Sequence, residues 1–195
     1  MPELPEPSEF ARKLATTALD LLHRFHAIDE NDEPLSSQIR AFYAALGFPF
    51  ASVEVPWSAV FVSFCVKDAG ATAAEFRFAQ AHSVFVHAAI QNALNNTGVF
   101  RGVRITEGAV RVGDIIQNNR GGLSHDYDFA KTNSQYQSHS AIVVARGEDH
   151  LGKFATTIGG NESDSIRSKR VHLNADGTIR QRATNPFICL VKNLK

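Results

Sequence analysis

The sequence predicts an α+β fold, with helices in the first half of the chain and an antiparallel sheet in the second. Apolar residues recur at helical spacing as far as Asn95. After Asn96 the pattern changes to short β-rich runs separated by turn residues. Helices followed by strands is the α+β layout, in which helices pack on one antiparallel sheet. The chain has 195 residues, 44% hydrophobic and 21% charged, which suits one domain with a sizeable, phenylalanine-rich core. The expected organisation is an N-terminal arm and helix over 1–34 and a main domain over 35–195, together one globular unit.

Ser8 can cap a first helix in which Phe10, Leu14, Ala18, Leu21, Leu22 and Phe25 share a face. The acidic stretch from Asp29 to Pro34 reads as a solvated loop. A second helix begins near Ser36 or Ser37, carries Ile39, Phe42, Tyr43 and Leu46, and stops at Gly47. The third runs from about Trp57 to Ala69 and the fourth from about Ala79 to Asn95. Strands are expected at Val112–Gln117, His139–Ala145, Phe154–Ile158, Ile166–Leu173 and Phe187–Val191, with a turn at Asn174–Gly177. Residues 118–137 form a polar, glycine-bearing connection longer than most, and loops of that length are usually functional or mobile.

Composition narrows the function classes. The 20 basic and 20 acidic residues cancel, so no nucleic-acid footprint or anionic membrane partner is expected. No run approaches the ~18 apolar residues of a membrane span. The start of the chain is acidic and proline-rich and lacks the pattern of a signal peptide. The expectation is synthesis in the cytoplasm, a trimmed leader, or export by a route that needs no signal peptide. Cys65 and Cys189 sit in apolar runs and read as buried free thiols, with a disulfide between them left open. No zinc pattern and no phosphate loop is present, and no cofactor or metal is expected. His82 and His87 are five apart, a spacing that does not align two ligands on one helix face.

Three segments could carry chemistry. Pro56-Trp57-Ser58-Ala59-Val60-Phe61 turns straight into an apolar helix, with Ser58 at its start. A helix N-terminus favours negative charge developing on a nucleophile and can offer N–H groups to an oxyanion. His139 opens a hydrophobic strand, which would hold its ring rigidly, and Asn161 follows Gly159-Gly160, which would permit close backbone approach. A nucleophile needs a base, and the base needs a third group to hold it. Each residue also has a plain reading: Ser58 as a helix cap, His139 as a packed residue, Asn161 as a turn residue.

Taken together, Trp57-Ser58-Ala59-Val60-Phe61-Val62, Gly113-Asp114, Ser138-His139-Ser140-Ala141 and Gly159-Gly160-Asn161 resemble the CHAP and NlpC-like group of papain-fold amidohydrolases and peptidases. Many of that group cut peptidoglycan stem peptides. The chain also resembles the bacterial domain of unknown function 2272 over about residues 35–193, where serine itself stands in the Trp-Ser-Ala motif and an Ala-His pair, here Ala81-His82, follows. The resemblance implies a papain-like domain with Ser58 as nucleophile, His139 as base and Asn161 as orienting amide, and with Trp57 and His82 lining the substrate cleft.

Serine in place of cysteine is the departure from the enzyme group. A hydroxyl is far less acidic than a thiol of pKa ~8.5, and an amide cannot stabilise imidazolium as a carboxylate does. Glu162 or Asp164 could stand in for Asn161. Two functions follow from the resemblance. One is an amide or peptide hydrolase acting on peptidoglycan or a related bacterial substrate, exported by a dedicated machine and met by an immunity protein. The other is a binding module that keeps the cleft without the chemistry.

Overall fold

The Ser8 hydroxyl accepts from the Ala11 N–H and opens helix α1 (Glu9–Phe25), whose inner face buries Phe10, Leu14, Ala18, Leu21 and Phe25. In the computed structural model, which describes residues 5–195, the rest of the fold builds on this helix. The first four residues of the proline-rich arm lie outside the described residues.

Helix α2 (Leu35–Leu46) ends where Gly47, at φ 70°, turns its N–H back onto the Ala44 and Tyr43 carbonyls. Helix α3 (Ser58–Asp68) is buried almost all round, because α1, α2 and the sheet enclose it. Helix α4 (His82–Leu94) starts later than the sequence pattern suggests. The Ser63 hydroxyl takes the Ala79 N–H at 3.1 Å and lies 3.0 Å from the Ala79 carbonyl, which holds that residue in an irregular entry segment.

Six strands follow: β1 (Phe100–Val103), β2 (Ile115–Asn119), β3 (Ser138–Asp149), β4 (Gly152–Gly159), β5 (Arg167–His172) and β6 (Phe187–Asn193). They form one antiparallel sheet in the order β1-β6-β2-β3-β4-β5. The protein is thus α+β, as the sequence predicts. A fifth helix, α5 (Tyr127–Thr132), lies inside the long connection, with the Asp126 side chain capping the Phe129 N–H.

Alternation along the strands divides the apolar residues between the two faces. Ile115, Ile142 and Ile158 face the helices, in a core with Phe42, Trp57, Phe61 and Phe85. Ile116, Val143, Val171 and Leu190 join a smaller cluster on the opposite face. Gly102 lets edge strand β1 press against α4, since a Cβ there would come within 2.6 Å of the Ile90 side chain.

The Gly113-Asp114 pair is structural. A Cβ on Gly113, at φ 87°, would stand 2.7 Å from Ala11. Asp114 is fully buried, accepts from the Arg111 and Asn193 N–H groups, and pairs with Lys192 at 2.5 Å. Burial pushes its carboxyl up from the usual range, and the Lys192 charge opposes that rise. Cys65 and Cys189 are free, buried thiols, and burial pushes both up.

Candidate active site

Ser58 is the first residue of α3, but it does not cap the helix; Trp57 occupies the capping position without a side-chain bond. The Ser58 Oγ lies 2.7 Å from His82 Nε2 instead. His82 opens α4, so two helix N-termini meet at this pair. Both side chains are buried, Ser58 at 3% and His82 at 5% exposure. Burial drives the His82 pKa well below its ordinary value, with the charges of His139 and Arg120 adding to the effect, so the imidazole is neutral.

His82 Nδ1 is buried without a protein partner. An orphaned buried N–H is rarer than an orphaned lone pair, so the network assigns the proton to Nε2. His82 then donates to Ser58 Oγ, and the serine hydrogen is free to turn elsewhere.

His139 stands beside this pair. Its ring meets the His82 ring edge-on, with centroids 5.2 Å apart. His139 Nε2 lies 2.8 Å from Glu162 Oε1, and Glu162 also pairs with Lys169. Burial pushes the Glu162 carboxyl up, but the hydrogen bond and charge of His139, helped by Lys169, bring it net below the usual range. With Nε2 on the carboxylate, His139 Nδ1 is the nitrogen left for a reacting proton.

Asn161, the amide expected beside His139, bonds elsewhere. Its Nδ2 donates to Glu30 Oε2 at 2.5 Å, and the Trp57 indole N–H donates to the same oxygen at 2.8 Å. Glu30 belongs to the acidic stretch expected to be a solvated face, yet it is 7% exposed. Its burial has a physical cause: a buried indole N–H and a half-buried amide converge on it, and a buried carboxylate is tolerated only when hydrogen-bonded. Trp57, expected to line the cleft, is fully buried. It supports the site from below.

Gly159 and Gly160 make these approaches possible. A Cβ on Gly159 would lie 2.8 Å from His139 Nε2, and one on Gly160 would lie 2.6 Å from both Trp57 and Phe61. The sequence expectation of close backbone approach at the end of β4 is met.

A cleft of about 460 Å³ opens over the cluster. His139, Asn161 and Glu162 line it, together with Arg120, Lys169 and Arg182; Ser58 and His82 lie outside its lining. Of the long connection, only residues 118–120 reach the cleft. The remainder is tied to α4: His87 Nδ1 donates to the Ala130 carbonyl, Gln91 to that of Lys131, and the Tyr136 N–H to Ser83. Among the described residues no group of three or more His, Cys, Asp or Glu side chains could hold a metal ion, and no helix is long and apolar enough to cross a membrane.

Fold and cluster together define an α+β protein with a buried serine–histidine pair set against a histidine–carboxylate pair. Over residues 22–188 the chain matches the family described as an uncharacterized protein conserved in bacteria (DUF2272), and it belongs to that family. No curated protein and no solved structure matches it.

Proposed function

We propose that the protein is an amide or peptide hydrolase of papain-like fold, acting by acyl transfer at Ser58 on peptidoglycan or a related bacterial amide. The observation that carries this reading is the orientation of His139. Its Nε2 is engaged by Glu162, which holds the ring and stabilises imidazolium, while Nδ1 is left over and the ring meets that of His82, the partner of Ser58, edge-on.

In the first step Ser58 Oγ attacks the substrate carbonyl carbon as its proton passes to His139 Nδ1. The amide C–N bond then breaks, the amine leaves with that proton, and an acyl ester remains on Ser58. Water, deprotonated by His139, cleaves the ester and restores the serine. The His82 N–H on Ser58 Oγ favours alkoxide character there, as does the N-terminus of α3. That donor offsets part of the handicap of a hydroxyl in a thiol's place. Action on the cell wall implies export to the periplasm or to a target cell, with secretion machinery and an immunity protein as partners.

The test is release of new amines from peptidoglycan or muropeptides by the purified protein. Wild type turns over and Ser58→Ala does not. An inactive wild type alongside an active Ser58→Cys would sink the native-serine mechanism.

One observation favours the alternative, a binding module that keeps the cleft but not the chemistry. Ser58 is 3% exposed and does not line the cleft, so its hydroxyl is not open to a ligand lying there. On that reading Ser58→Ala binds cell-wall fragments as tightly as wild type, and neither protein turns them over.

A further inference from the structure

The chain carries no net charge, with 20 basic and 20 acidic residues, but the cleft is one-sided. Arg120, Lys169, Arg170 and Arg182 line it against a single carboxylate, Glu162. That carboxylate is already engaged by His139 and Lys169. Arg170 is held by Asp149 at 2.7 Å. Arg120 and Arg182 have no carboxylate partner among the described residues. The Arg182 guanidinium lies over the Phe187 ring at 4.4 Å, and its Nε donates to the Asn185 carbonyl. This fixes the fork while its terminal nitrogens remain available to a ligand. The cleft also presents Asn118, Thr184 and Asn185, side chains suited to a peptide backbone.

We propose that the cleft takes a carboxylate-bearing peptide, with Arg120 and Arg182 clamping the carboxylate beside His139. Arginine forks bind carboxylates bidentately and suit fixed, oriented recognition better than a mobile ammonium does. The inference rests on the hydrolase reading for its choice of a peptide over another anion. An extended polyanion is disfavoured because only four of the 20 basic residues line the cleft and the protein as a whole is neutral. The assignment names the ligand class for Arg120 and Arg182, residues outside the Ser58, His139 and Glu162 set.

The experiment is calorimetric titration of the Ser58→Ala protein, so that binding is read without turnover. The probes are the peptide alanyl-glutamyl-lysyl-alanine, the same peptide with both carboxylates amidated, and inorganic phosphate. The acidic peptide binds at least about tenfold more tightly than the amidated one, as loss of a charged hydrogen-bond pair requires. Its affinity falls as salt rises. The double variant Arg120→Gln/Arg182→Gln, in which both changes are at exposed positions, melts as the parent does and loses the preference. Equal binding of the two peptides, absence of binding by both, or a preference that survives in the double variant overturns the proposal. Phosphate binding as tight as that of the acidic peptide overturns the peptide assignment. Turnover by wild type without any carboxylate preference leaves the hydrolase and removes this inference. Carboxylate-dependent binding without turnover does the reverse.

Discussion

The Ser58 hydroxyl and the His82 imidazole meet at 2.7 Å, beneath a cleft that neither of them lines. Because burial keeps His82 neutral, this pair makes folding sensitive to pH. Unfolded, the imidazole titrates near 6.5; folded, it does so well below that value. The unfolded chain therefore takes up a proton that the folded chain refuses. His82's contribution is fully present above about pH 6.5 and is lost as pH falls below it, at up to ~1.4 kcal/mol per pH unit. Urea midpoints from pH 7.5 to 5 (roughly the range where an imidazole titrates) fall for wild type. They fall less steeply for His82→Gln. Equal slopes in the two proteins would remove His82 as the cause.

Glu30 joins the N-terminal loop to both halves of the site through Trp57 and Asn161. Replacing it with alanine strands the indole N–H of a fully buried tryptophan. An unsatisfied buried donor costs about 1–3 kcal/mol. Glu30→Ala therefore lowers the unfolding free energy by that amount, read as a fall in the denaturation midpoint. Glu30→Gln keeps an acceptor oxygen and costs less. Asn161→Gly, which suits the φ of 53° at that position, removes a donor rather than the acceptor and leaves the Trp57 bond in place, so its effect on stability is smaller again. Chemical denaturation of the three variants checks the order.

The two glycines that end β4 separate stability from activity. Alanine at Gly160 drives a methyl group against Phe61 and Trp57 at 2.6 Å, both of them fully buried. Overpacking of this kind costs about 1–3 kcal/mol. Alanine at Gly159 strikes the Glu162 carboxylate and His139 Nε2. It pries apart the pair that orients the base. Gly160→Ala loses midpoint in urea but keeps specific activity on the folded fraction, whereas Gly159→Ala loses turnover.

What the sequence made legible was local. Ser8, Gly47 and the apolar spacing between them placed α1 and α2, because caps and periodicity act over a few residues. The start of α4 was displaced by Ser63 holding Ala79, sixteen residues away. Strand β1 is four residues long with a glycine inside, too little alternation to read. Helix α5 spans six residues within a polar stretch and owes its place to packing on α4. At the site, Ser58, His139 and the Gly-Gly-Asn turn were visible as a set, and Glu162 could be named as a stand-in for Asn161 on chemical grounds. Glu30 and the Ser58–His82 bond could not be read, since each joins residues at least 24 positions apart whose meeting depends on the topology.

His139 and Glu162, 2.8 Å apart, are the acid–base pair of the proposed reaction. The carboxyl is held below its usual 4.5, so the anion persists across the neutral range. The stability it contributes is present above pH 4.5 and is lost as pH falls through the depressed folded value. Glutamine at this position can still accept the His139 N–H, but it carries no charge to stabilise imidazolium during proton transfer. Glu162→Gln therefore lowers kcat by about 10²–10⁴, the range over which a positioned acid–base group acts. Lys169→Ala removes an exposed partner of the same carboxylate and has a smaller effect on kcat. Initial rates of the three proteins at neutral pH decide the matter. An undiminished kcat in Glu162→Gln would mean that His139 does not take the proton. Loss of kcat with KM unchanged assigns Glu162 to positioning the base rather than to holding the substrate.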